Sequence, residues 1–108
     1  MGLVLRGAPA SKGRVRAKVK VLSSSQDILK MEAGYVLVAP STNPEYTPAI
    51  LKAAALVTDR GGLMCHAAII AREMGIPAVV GTGNATQVLK DEMEVLVDGE
   101  KGEVVVEG

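Results

Sequence analysis

The chain holds one histidine, His66, and one cysteine, Cys65, and the two are neighbours. Gly61-Gly62 precede them and Ala67-Ala68 follow, inside the run TDRGGLMCHAAIIAREMGIPAVVGTG from Thr58 to Gly83. A glycine pair opens backbone conformations closed to other residues and lets the chain approach a ligand closely. HAAIIAREM (His66–Met74) has helical character, so His66 falls at or near a helix start, where unpaired N–H groups and the dipole favour an anion. The same field disfavours an imidazolium, and a neutral ring is expected near pH 7. A neutral imidazole at such a place suits a nucleophile that takes a phosphoryl group and holds it. Small Ala67 and Ala68 leave room for that group. The same residues also suit a histidine that only packs at, or caps, a helix end. Both readings stand on the residues alone.

Other chemistries lack their residues. There is no GxxxxGK[ST] phosphate loop, no HExxH, no CxxC and no GxSxG. The GTG at Gly81–Gly83 is too short for a dinucleotide fingerprint and reads as a turn. One cysteine excludes an internal disulfide framework and a Cys-based zinc site, and no metal site is expected. A hydrolase with His66 as general base has no paired nucleophile, since Asp59 and Glu73 are near it only in sequence.

The elements that must position His66 follow from pattern. RVRAKVKVL (Arg14–Leu22) alternates cations with Val15, Ala17, Val19 and Val21, which predicts a half-buried strand. SSSQD breaks it and caps a short helical turn through Met31. Tyr35–Ala39 and Leu56–Thr58 read as buried strands. Pro44 and Pro48 exclude regular structure over Ser41–Pro48, and Pro48 then opens a helix to about Ala54. His66–Met74 ends at Gly75, with Pro77 beyond, and Ala67, Ile70, Ala71 and Met74 form its core-facing stripe. Pro77–Val80 is a strand, and Asn84 caps a short helix to Leu89. Met93–Asp98 and Glu103–Glu107 form a hairpin around Asp98-Gly99. Strands and helices are mixed, so the fold class is a compact α/β domain.

Composition bounds what such a domain can do. The chain's 108 residues fit one domain spanning 1–108, and 48% apolar with 22% charged residues fits a globular protein. With two Tyr, no Phe and no Trp, the core must be built from Val, Ala, Leu and Ile. Twelve basic and twelve acidic residues cancel, which argues against nucleic-acid binding. No run approaches the ~20 apolar residues that span a bilayer, and Arg6 interrupts any signal-peptide core. A cytoplasmic location without membrane contact is expected. The cancellation hides a polarity: residues 1–20 carry six bases and no acid, whereas 91–108 carry seven acids and one base. Neighbouring strands with complementary outward faces account for it, and adjacent ends where linkers join a larger protein account for it too.

The Gly61–Arg72 run resembles the phosphorylation-site signature of the phosphoenolpyruvate-utilising enzymes, which include phosphoenolpyruvate synthase, pyruvate phosphate dikinase and enzyme I of the sugar phosphotransferase system. Gly61-Gly62, His66, Ala67-Ala68, Ile69-Ile70, Ala71 and Arg72 fit the pattern, and CHAAIIARE with IPAVVGTG is most similar to the synthase branch. GAPASKGRVRAKVKVL, STNPEYTPAILKAAALVT and VDGEKGEVVV resemble the family's opening, middle and closing segments, so the similarity covers nearly the whole chain.

That resemblance implies a single compact swivelling phosphohistidine domain of β/β/α type. His66 is then the phosphoryl acceptor, with Thr42, Gly61, Gly62 and Arg72 as phosphate-binding or supporting residues. The partners implied are a nucleotide-binding domain and a TIM-barrel domain that binds phosphoenolpyruvate or pyruvate, in the same chain or in trans. ATP and Mg²⁺ belong to those partners, and this domain alone is expected to bind no cofactor. One position departs from the pattern: the hydroxyl or amide two residues before the histidine is Met64 here. A non-catalytic binding or regulatory module that kept the fold and lost phosphotransfer is the alternative that Met64 supports.

Overall fold

Polar–apolar alternation near both ends of the chain gives way to continuous apolar runs in the middle, and two different sheets result. The computed structural model describes residues 2–107. Its strands are β1 (Val4–Arg6), β2 (Ala8–Ser11), β3 (Arg14–Val21), β4 (Val36–Ala39), β5 (Ala55–Thr58), β6 (Ala78–Val80), β7 (Glu94–Asp98) and β8 (Glu103–Val106). The helices are α1 (Thr47–Ile50), α2 (His66–Met74) and α3 (Ala85–Val88), with 3-10 turns at Ser25–Lys30 and Pro44–Tyr46. The strand order is β1-β8-β7-β3-β4-β5-β6-β2.

Strand β3 belongs to both sheets. Arg14–Lys18 pairs antiparallel with β7, and Val19–Val21 pairs parallel with β4. On one side lies an antiparallel sheet of β1, β8, β7 and β3. On the other, β3 to β6 run parallel, with β2 antiparallel on the far edge. The parallel strands β4, β5 and β6 are buried at every residue because both of their faces are covered. Val36, Val38, Ala55, Val57 and Val79 pack with Val19, Val95, Val97 and Val104 of the antiparallel sheet. Leu37, Ala39, Leu56, Ala78 and Val80 pack instead with Ala67, Ala68 and Ala71 of α2 and with Tyr46, Ala49 and Ile50. Two sheets and a helical layer make the β/β/α arrangement. Alanine on α2 is what lets the helix lie close to the sheet.

The charge polarity is spent between the strands. Arg6 pairs with Glu103 across β1 and β8, Arg14 with Asp98 (3.5 Å) across β3 and β7, and Arg16 with Glu107 (3.1 Å). The cations of these pairs are exposed, so each pair contributes at most a few tenths of a kcal/mol.

The N-terminal segment, where no alternation in GAPAS predicts an element, forms two short strands, β1 and β2, on opposite edges of the sheet order. Three expectations need correction. The proline-bearing segment is regular from Pro44 onward: Asn43 accepts a hydrogen bond from Glu45 N–H and starts a 3-10 turn that runs straight into α1. Each proline sits in a first turn, where its missing N–H costs nothing. Helix α3 is capped by the tertiary structure, since Asn84 makes no side-chain cap bond and Asp59 and Thr82 accept from Thr86 N–H and Ala85 N–H. Finally, the β7–β8 loop turns through four residues, with Asp98 accepting from the N–H groups of Glu100 and Lys101. Gly99 serves a close approach there: a Cβ on it would stand 1.8 Å from the Ser11 carbonyl oxygen. Among the described residues no helix is long and apolar enough to cross a membrane.

Candidate functional site

Strands β4 and β5 run parallel, so their carboxyl ends emerge side by side, the usual place for a ligand in a parallel sheet. The loops that leave them are tied together: Asp59 N–H donates to Ala39 O (3.1 Å) and Arg60 N–H donates to Pro40 O (3.0 Å). This brings Ser41 and Thr42 from one loop, and Arg60 and Gly61 from the other, to the start of α2. His66 is the first residue of that helix, and Cys65 before it is extended, with no side-chain cap bond. The stop signal is also as expected, with α2 ending at Gly75.

His66 Nδ1 and Thr42 Oγ1 lie 2.8 Å apart, within hydrogen-bond distance. Both line a small cavity of about 100 Å³, together with Ser41, Thr58, Arg60, Gly61, Cys65 and Ala67. With a water's share of liquid near 30 Å³, that space admits a group of a few heavy atoms. Gly61 has φ +117°, and a Cβ there would meet Cys65 Sγ at 2.8 Å, so the wall is built on a glycine held against a small packed thiol.

The structure brings three of the five anticipated residues together: His66, Thr42 and Gly61. Gly62 is exposed and does not line the cavity. It completes the turn into the helix by accepting a hydrogen bond from Cys65 N–H at 3.1 Å. Arg72 lies outside the cavity lining, and its contacts are those of a supporting residue, a backbone clasp. Its guanidinium donates to Ala10 O (2.8 Å) and Leu63 O (2.6 Å), fastening α2 to β2 and to the loop before His66. Six positions beyond His66 puts it on another face of the helix. Met64 is 80% exposed and also outside the cavity lining, so the missing hydroxyl strips nothing from the inner wall. Asp59, the nearest acid in sequence, is taken up by Thr86.

Arg60, Ser41 and Thr58 line the site without having been singled out. Arg60 has a signal, because it directly precedes the glycine pair, but DRGG reads as a surface turn until the loops are folded together. Among the described residues no three His, Cys, Asp or Glu side chains gather closely enough to hold a metal ion.

A β/β/α domain that presents a lone histidine at a helix start, beyond the carboxyl ends of two parallel strands, defines the class of swivelling phosphohistidine domains. The chain belongs to the family of the PEP-utilising enzyme mobile domain (PEP-utilizers), whose sequence profile matches residues 31–102. It is 56% identical over 106 residues to the probable phosphoenolpyruvate synthase of Archaeoglobus fulgidus, covering 98% of this chain and 14% of that protein. It therefore spans about one seventh of that relative's length. A solution structure of Enzyme I matches with TM-score 0.64 and 38% identity over 74% of this chain and 33% of that one. Thermococcus kodakaraensis aconitase X matches with TM-score 0.75 over 98% of this chain and 99% of that chain, but at 20% identity it speaks to the fold alone.

Proposed function

We propose that this chain is a phosphoryl carrier whose His66 takes a phosphoryl group at a nucleotide-binding partner and delivers it to a partner that binds phosphoenolpyruvate or pyruvate. The observation that carries this reading is the Thr42–His66 pair inside the small cavity. In this reading Nδ1–H donates to Thr42 Oγ1, which selects the tautomer whose lone pair is on Nε2. In the first step that lone pair attacks phosphorus. The N–P bond forms as the bond from phosphorus to the donor's leaving oxygen breaks, and the oxygen keeps the electron pair. The ring needs to lose no proton, because the proton stays on Nδ1, hydrogen-bonded to Thr42 Oγ1. In the second step an acceptor oxygen attacks phosphorus, the N–P bond breaks and Nε2 recovers its lone pair.

The partners are part of the proposal. These 108 residues form the mobile domain, and the synthase relative is about seven times as long. ATP and Mg²⁺ act in those partners, in the same polypeptide or in trans, and such a carrier works in the cytoplasm, where ATP is supplied. Met64's place outside the cavity lining favours a working carrier over a module that lost phosphotransfer.

The test is to incubate the chain with the nucleotide-binding part of a related synthase, ATP and Mg²⁺. Acid-labile, base-stable phosphate on His66 is expected, and none on His66→Ala. An unlabelled wild type, or equal label on the variant, removes the proposal.

A further inference from the structure

Five arginines are present, and four of them are engaged: Arg6, Arg14 and Arg16 with carboxylates, and Arg72 with two carbonyl oxygens. Among the described residues the guanidinium of Arg60 has no hydrogen-bond or ion-pair partner. Its backbone, in contrast, is held on both sides. The N–H donates to Pro40 O at 3.0 Å, and the carbonyl accepts from Thr58 Oγ1 at 2.7 Å. An exposed cation is thus mounted on a fixed peptide in the wall of the cavity that contains His66. No acid lines that cavity, and Asp59, which could have neutralised its neighbour, is bonded to the backbone and hydroxyl of Thr86.

We infer that Arg60 is the cation that binds the phosphoryl oxygens when the group is on His66, an assignment that rests on the carrier reading. A phosphoryl group carries roughly −1.5 to −2 charge near neutral pH. The other polar groups around the cavity, Ser41, Thr42 and Thr58, are uncharged hydroxyls. Guanidinium is suited to the task because its planar fork meets two phosphoryl oxygens at once, and it stays charged at any working pH. Because it has no partner among the described residues, no internal ion pair must break before the anion is bound. Arg72 cannot take this role without releasing Ala10 and Leu63 and loosening the loop that leads into His66.

Phosphoramidate provides a test on the intact chain without any partner. The P–N bond of the reagent breaks, ammonia leaves, and the N–P bond to His66 forms. Phosphorus NMR then reports both the rate of phosphorylation and the titration of the phosphohistidine signal. Arg60→Gln is expected to slow phosphorylation about three- to tenfold, the range of a charge-assisted contact at a partly exposed site. It should also raise the pKa of the phosphoryl group, since the guanidinium favours the dianion. Arg60→Lys should fall between the two, and Lys52→Ala, which removes a positive charge elsewhere, should match wild type. Added salt should slow wild type more than Arg60→Gln. Wild-type rate and titration in Arg60→Gln overturn the assignment while leaving the carrier reading intact. If Arg60→Gln does not fold, an unshifted titration in Arg60→Lys is the overturning result. A wild type that neither phosphoramidate nor the partner enzyme labels at His66 overturns the carrier reading instead.

Discussion

The two ends of strand β4 use charge in opposite ways. Before its start, Tyr35 donates to Glu92 (2.8 Å), and Lys20 bridges Glu92 (2.6 Å) and Glu32 (3.1 Å) while lying 5.1 Å from the Tyr35 ring centre. Hydrogen bonds from Lys20 first, then from Tyr35, hold the Glu92 carboxyl below its ordinary pKa, and the bond to Glu92 raises that of Lys20. Lys20, Glu32 and Glu92 thus have partners within the chain. Beyond the other end of β4, Thr42 meets His66, and among the described residues the Arg60 guanidinium has no hydrogen-bond or ion-pair partner. A network that satisfies itself fixes geometry, whereas an unsatisfied cation beside a nucleophile is poised for an anion from outside. The difference separates an end whose charges satisfy one another from the end where the proposed chemistry takes place.

Substitutions at each end can break or sharpen that contrast. His66→Ala should abolish phosphate labelling while leaving the thermal midpoint nearly unchanged, because the ring is only part-buried and starts the helix. A surviving label would move the nucleophile elsewhere. Thr42→Val should slow labelling by roughly tenfold to a hundredfold, the effect of losing one positioning hydrogen bond at a reacting group. Single-turnover kinetics and the urea midpoint together separate that from unfolding. Gly61→Ala should cost about 1–3 kcal/mol in urea unfolding, from positive φ and the contact with Cys65 Sγ. Adding Cys65→Ala should recover only the part due to the contact.

At the structural end the response should appear in pH and not in labelling. Glu92 is held below its ordinary pKa, so its contribution is present above about pH 4.3 and lost as pH falls through the lower folded value. Asp98 behaves alike, held down mainly by the Lys101 N–H, then by that of Glu100 and by Arg14. Glu92→Gln should flatten part of the acid loss of stability, measured as urea midpoint against pH, with labelling at neutral pH unchanged. A changed label would mean that the two ends are coupled. The smallest effect expected is from Met64→Thr, within about twofold in labelling rate, because residue 64 is exposed outside the cavity lining.

Much of the positioning was legible because it is local. HAAIIAREM followed by Gly75 encodes its own helix and stop, and the helix occupies the anticipated residues. RVRAKVKV encodes a strand with one wet face, and the terminal charges found each other across β1–β8 and β3–β7. The prolines misled because a first-turn proline and a helix-breaking proline look alike until Asn43 is seen to cap. The partners of Arg72 were hidden for a related reason. Spacing along one helix says which face a residue occupies, but not which carbonyl lies opposite it.

The amino-acid sequence by itself therefore determined the lone histidine, the helix that begins at it and the family to which the chain belongs, since these depend on residues adjacent along the backbone. Only the tertiary structure decided which side chains gather around it. Thr42 reaches His66 across 24 positions of sequence, and Arg60 is left unpaired while Arg72 is consumed, because parallel strands bring separate loops together at their carboxyl ends. Contacts between such loops are set by strand order and register, which no single segment encodes.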